Sequence, residues 1–222
     1  MLAAYLAYVL VYFAIMGAIL FVSAGRADLP LFWAYLVVMA IPALAATVVT
    51  YRNNPEQLRQ QTRPATGGED RLTVPLFVVS FLAHWVIAGL DVGRFHWSSS
   101  VPVALQVIGL IGFGCGFGLV AWSTLVNQFY VGVVRIQDER GQQVITGGPY
   151  RFVRHPGYIG WILFYLCSGL ALGSWLSILP AALPALATIR RTIIEDRMLH
   201  TSLSGYPEYA QRVRYRLIPG VW

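Results

Sequence analysis

Lysine is absent from this chain, and all sixteen of its basic residues are arginine. Charge of either sign is scarce, at 12% of 222 residues, against 57% hydrophobic residues. That balance excludes an ordinary soluble domain. Only two cysteines occur, Cys115 and Cys167, both inside apolar runs and both expected to be small buried packing residues. With no Cys/His spacing of a zinc site, no metal is predicted. The lack of lysine beside abundant Ala, Gly and Val fits a GC-rich bacterial genome. The net charge of +6 does not call for nucleic acid, because the arginines sit in segments that flank the apolar runs.

Those runs are what the sequence has in abundance. Crossing the hydrocarbon takes roughly 20 apolar residues. Leu2 to Ser23, Leu31 to Thr50, Leu72 to Leu90 and Val101 to Val126 each qualify. Gly157 to Ile189 is too long for one span and is interrupted by Gly173-Ser174, Pro180 and Pro184, so it reads as a tight helical hairpin. The first run is too long, and too poor in preceding basic residues, for a cleaved signal peptide, although Val22-Ser23-Ala24 weakly resembles a cleavage site. The fold class expected is all-α: a polytopic membrane bundle of four spans, a C-terminal helical hairpin and a cytoplasmic helical tail. Residues 1–222 read as one integral membrane domain. Residues 1–126 hold the four spans and a connection at 51–71; residues 127–222 form a polar-rich region around the hairpin at 157–189.

Arginine placement orients the bundle. Arg26 and Arg94 are alone in the odd connections, whereas the other fourteen lie in the even connections and the tail. The positive-inside rule then puts both termini and the even connections in the cytoplasm, most simply across a bacterial inner membrane.

Two polar stretches depart from lipid-facing chemistry. Tyr51 to Arg71 contains Asn54-Pro55, a cap-and-start signal for a short amphipathic helix, with Pro64 and Gly67-Gly68 to end it. It reads equally as a solvated loop or as a segment packed over a cytoplasmic site. The other stretch begins at Asn127-Gln128, includes "GGPYRFVRHPGYIGW" from Gly147 to Trp161, and resumes in the tail. Helical spacing places Arg191, Glu195 and Leu199 on one stripe, with Thr192, Asp196 and His200 beside it. The hairpin returns this stripe to the side where Arg151, Arg154 and His155 enter. A solvated helix face is the plain alternative, with Glu195 and Asp196 pairing only with Arg190, Arg191 or Arg197. Chemically, such a cluster offers carboxylates for hydroxyl or amino groups and arginines for a carboxylate. Backbone N–H groups near Gly147–Pro149 and Pro156 add anion-facing donors. "GFGCGFG" at Gly112 to Gly118 lacks the strand and βαβ setting of a dinucleotide fingerprint; Gly112/Gly116 and Gly114/Gly118 read as helix-packing pairs.

Gly148-Pro149-Tyr150, Arg154-His155-Pro156-Gly157-Tyr158, Glu195-Asp196 and Arg216-Leu217-Ile218-Pro219, with upstream "NPEQL" and Asn127, together resemble the isoprenylcysteine carboxyl methyltransferase family, and more loosely the phospholipid methyltransferases. The likeness is strong over Asn127 to Trp222. It implies a methyltransferase that binds S-adenosylmethionine without a Rossmann domain, at the cytoplasmic membrane surface, acting on a lipophilic or small-molecule acceptor that presents a carboxylate, thiol or amine. By position, the resemblance implies cofactor binding by Gly148, Pro149, Tyr150, His155, Pro156, Tyr158, Glu195 and Asp196, with Arg154, Arg191 and Glu195 as catalytic candidates. Arg154 or Arg191 would orient an anionic acceptor; Glu195 or His155 would be the base for a protonated one. Asp196 stands where the family has a second Glu. Membrane lipids are the surroundings expected. Two other readings are an NADPH-dependent sterol or enone reductase, disfavoured by the short loops, and a non-enzymatic scaffold using the glycine-rich fourth span as its interface.

Overall fold

The computed structural model describes residues 2–61 and 73–222, and among these every regular element is helical. The predicted end of the 51–71 connection, with Pro64 and Gly67-Gly68, lies outside the described residues. Helix is the form that hydrocarbon demands, because a helix satisfies its own backbone polar groups. Four helical stretches are long and apolar enough to cross a membrane. They are α1 (Leu2–Ala24), α2 (Pro30–Asn53), α4 (Thr73–Gly89) continued by a wider turn at Leu90–Phe95, and α5 (Val103–Val126). Between α2 and α4 lies α3 (Pro55–Gln61), started as expected by Pro55 and by Asn54 Oδ1, which accepts the Gln57 N–H at 3.1 Å.

Helices approach closely where side chains are missing. The most extensive pairing is α5 against α6 (Pro156–Ala171). A Cβ on Gly116 would lie 2.7 Å from the Gly160 carbonyl oxygen, and one on Gly160 would lie 2.6 Å from that of Gly116. A Cβ on Gly112 would meet Cys167 Sγ at 2.6 Å. The Gly112/Gly116 pair thus packs as expected. The other pair does not: Gly114 faces Val38 of α2, and Gly118 has nothing within 4 Å. Cys115 also departs from expectation. It is exposed, because it shares the outward stripe of Ile108, Ile111, Gly118 and Trp122, while Cys167 is half-buried.

The hairpin is present, but it turns at one place only. Gly173, at φ +78°, takes the left-handed turn after α6, and α7 (Ile178–Ser202) follows. Pro180 and Pro184, expected to help break the run, are both inside α7. Pro180 sits in the first turn, where a helix has no use for the missing N–H. The consequence matters for the site: the apolar arm and the polar tail are one continuous helix, so Arg191 to His200 are held in fixed register. After Gly205, at φ +80°, α8 (Tyr206–Arg212) folds back.

Inside the bundle runs a polar chain that sequence reading did not pick out. Trp85 Nε1–H donates to Tyr35 (3.4 Å), Tyr35 O–H to Ser168 (2.8 Å), and Ser168 O–H to His84 Nε2 (2.7 Å). His84 Nδ1–H in turn donates to the Ser177 carbonyl (2.8 Å). Because the Ser177 carbonyl can only accept, His84 carries a proton on Nδ1. Near the hairpin turn, Asp91 accepts from Ser174 (2.6 Å) and from Ser98 through both its hydroxyl and its N–H. The two arginines of this sparse end serve it locally. Arg94 binds the Val22 and Ser23 carbonyls at the end of α1, and Arg26 pairs with Asp28.

Candidate functional site

At the opposite, arginine-rich end, a cavity opens between the segment after α5, the start of α6, the tail of α7 and α8. Three local devices build it. Gly148, at φ +55°, lets the chain turn tightly under α5, where a Cβ would meet Val126 at 2.8 Å. Asn127 ends α5, accepts the Phe129 N–H through Oδ1, and donates through Nδ2 to the Tyr150 hydroxyl at 3.2 Å. Gly157 lets the Tyr130 ring lie across the first turn of α6, since a Cβ there would be 2.7 Å from it. Trp161 then donates to the Tyr130 hydroxyl at 3.0 Å. Helix α3 packs over this region: Gln57 Nε2 donates to the Thr124 and Asn127 carbonyls at 2.9 Å. Of the two readings of that connection, its start follows the packed one.

The adjacent acids Glu195 and Asp196 have different fates. One residue on a helix is about 100° of rotation. Asp196 is fully buried and accepts five hydrogen bonds: from Arg154 Nε (2.8 Å) and Nη2 (3.1 Å), His155 Nε2 (3.1 Å), Tyr206 O–H (2.9 Å) and Arg216 Nε (2.7 Å). Burial alone would raise its pKa, but the hydrogen bonds from His155, Arg154 and Arg216 outweigh that and hold the carboxyl well below the usual range. None of these partners is a neighbour on its own helix face. The solvated-face alternative, pairing with Arg190, Arg191 or Arg197, does not describe Asp196. Glu195 instead lines the cavity, half-buried, and receives the Tyr158 hydroxyl on Oε2.

Arg154 is engaged by the protein itself. Besides Asp196, its Nη1 donates to the Val213 and Arg214 carbonyls at 2.9 and 2.7 Å. The backbone beside it joins the C-terminal segment, with Arg154 N–H to Tyr215 O and His155 N–H to Arg216 O, both 3.0 Å. This is why the Arg216-Leu217-Ile218-Pro219 stretch belongs with the Arg-His-Pro turn. Arg191 lies over the Tyr158 ring, 5.9 Å from its centroid, and Nη2 donates to the Gly132 carbonyl at 2.7 Å.

Of the residues expected at the site, Tyr150, Arg154, His155, Tyr158 and Glu195 line the cavity. Gly148, Pro149 and Pro156 shape its turns, and Asp196 stands behind its wall. Sequence reading left out Phe129, Tyr130, Tyr206 and Tyr209, which line it too. The tyrosine-rich stretch after Gly205 was the signal for two of them. Burial pushes the Tyr130 phenol up to about 12, and also raises Tyr150 and Tyr206, so all three remain neutral rings at ordinary pH. Among the described residues there is no group of three or more His, Cys, Asp or Glu that could hold a metal ion.

Comparison with known proteins agrees with the resemblance read from the motifs. The phospholipid methyltransferase family model matches residues 105–204. The chain is 28% identical over 145 residues to the cobalt-zinc-cadmium resistance protein CzcN of Cupriavidus metallidurans, covering 64% of this chain and 61% of that protein's length. In structure it is similar to a eukaryotic intramembrane Ras methyltransferase, isoprenylcysteine carboxyl methyltransferase, with TM-score 0.63 and 22% identity over 99% of this chain and 75% of the other. The all-α membrane fold is therefore that of a known intramembrane methyltransferase, and the matched family model is one of methyltransferases.

Proposed function

We propose that the chain is an S-adenosylmethionine-dependent methyltransferase of the cytoplasmic membrane surface, with residues 127–222 as its catalytic region and a lipophilic or small-molecule acceptor carrying a carboxylate, thiol or amine. The observation that carries this reading is the cavity wall: a single acid, Glu195, set among Phe129, Tyr130, Tyr150, Tyr158, Tyr206 and Tyr209, while the two arginines of the lining, Arg135 and Arg154, are paired with Glu139 and Asp196. Such a wall suits a small cation with hydroxyl and amino groups, since ring faces attract positive charge and a carboxylate accepts the donors. When bound, the cofactor supplies an electrophilic methyl group on a sulfonium sulfur. The lining runs from Asn127 to Tyr209, so the reading needs no separate nucleotide domain.

In this reading the chain contributes alignment and exclusion of water more than acid–base chemistry. Tyr158 holds the Glu195 carboxylate in place, and Tyr130 closes the side toward α6. Arg154, tied to Asp196 and two carbonyls, is a support, and Arg191, buried and bonded to the Gly132 carbonyl, stands outside the residues that line the cavity. The clustering of arginines at this end agrees with a cytoplasmic cavity in a bacterial inner membrane. The scaffold reading keeps only part of its proposed interface, because Gly112, Gly114 and Gly116 pack within the chain and Gly118 alone of the four has open space beside it.

Isothermal titration of S-adenosylhomocysteine into detergent-purified protein tests the proposal. Micromolar binding that is lost in Glu195→Ala supports it. A folded wild type that does not bind rejects it.

A further inference from the structure

The imidazole of His155 has its two nitrogens in different surroundings. Nε2 faces the Asp196 carboxylate at 3.1 Å, an acceptor already surrounded by donors from Arg154, Arg216 and Tyr206. An imidazole lone pair turned to that carboxylate would oppose another lone pair, so Nε2 carries the proton. The ring plane is fixed as well, stacked on Tyr158 with centroids 5.7 Å apart and planes at 12°. Nδ1 is left with no hydrogen-bond partner among the described residues, yet it is not sealed from solvent, and His155 lines the cavity. In the neutral ring Nδ1 is a pure acceptor.

From this we infer that Asp196 is a positioning residue: by holding the proton of His155 on Nε2, it presents the Nδ1 lone pair to the cavity, where it accepts a hydrogen bond from a hydroxyl or amino group of the occupant. This rests on the cofactor reading above, and it gives Asp196, which does not touch the cavity, a part in ligand selection. Protonating the ring puts a second N–H on Nδ1 and abolishes the acceptor. The charged and titratable groups around the ring are Asp196 and Glu195 of α7, Tyr206 of α8, Tyr158 of α6, and Arg154 and Arg216.

The test is titration of S-adenosylhomocysteine against wild type, His155→Gln, His155→Asn and Asp196→Asn between pH 5 and about pH 8.5, with melting temperature followed in parallel. Gln places an amide near Nε2, keeping the link to Asp196, but leaves nothing at Nδ1. It is expected to lose at least tenfold in affinity with its melting temperature little changed. Asn places an amide oxygen near Nδ1 and is expected to keep more affinity than Gln, with binding independent of pH. Asp196→Asn, which releases the tautomer, is expected to weaken binding by acting through the ring, and so to add nothing further in the His155→Gln background. Wild-type affinity in His155→Gln, or additive losses when Asp196→Asn and His155→Gln are combined, overturns the inference. A wild type that does not bind at any pH overturns the cofactor reading and this inference with it.

Discussion

Two polar clusters occupy the two ends of this molecule, and they are built on opposite terms. Around His84 and Asp91, the hydrogen bonds run from one protein group to the next, and neither residue lines the cavity at the other end. At the arginine-rich end, Asp196 gathers five donors just as completely, yet its neighbours His155 and Glu195 each turn a polar group toward a cavity. The first cluster ties α2, α4, α6 and the hairpin turn together. The second uses a closed knot to hold an open one in shape. The contrast teaches that polarity alone does not mark a site: the informative feature is a polar atom held rigidly by protein while its other side remains open.

The largest effect expected is from Asp196→Ala. It leaves Arg154 and Arg216 without their common counter-charge in a buried setting, a loss of about 3–5 kcal/mol. Denaturation in detergent should show it, together with loss of ligand binding. Glu195→Gln is predicted to separate the two acids. The affinity for S-adenosylhomocysteine should fall at least ~10-fold, about 1.4 kcal/mol, while stability stays within about 0.5 kcal/mol of wild type. Equal destabilisation by Glu195→Gln and Asp196→Ala would erase the distinction drawn between them.

His84→Ala should behave in the reverse manner, losing stability but not affinity. Interhelical hydrogen bonds within membranes are individually modest, so about 1–2 kcal/mol is expected, read as a lower melting temperature with unchanged titration of the ligand. The smallest effect concerns pH. The folded pKa of Asp196 is depressed, so its contribution to stability is fully present above the unfolded value, about 3.9, and is lost as pH falls below that toward the folded value. The melting temperature of wild type should therefore decline below about pH 4, and Asp196→Asn should show a flatter decline from a lower starting point.

Much of this was legible along the chain. The four spans, their order and the helical hairpin follow from unbroken apolar runs, because hydrocarbon leaves the backbone few options. The short helix at Pro55 was marked by its cap, and five of the cavity-lining residues by the Gly-Pro-Tyr, Arg-His-Pro and Glu-Asp motifs. Less legible were the stopping points. Pro180 and Pro184 read as breaks but fit within α7, since proline in a first turn gives up no bond and the bundle tolerates another inside. Cys115 read as buried because composition shows an apolar run without showing which face meets lipid.

The sequence by itself determined that the chain is a helical membrane bundle with arginines gathered at one end, because span length and charge asymmetry are one-dimensional properties. Only the tertiary structure decided what each polar residue does. It separated Glu195 from Asp196 by a rotation about α7, closed Arg154 onto the C-terminal segment, brought Tyr130 and Tyr206 to the cavity, and joined His84 to Ser168 across 84 residues of chain. Hydrogen bonds and ion pairs depend on distance and direction in space, and these are settled by how the helices pack.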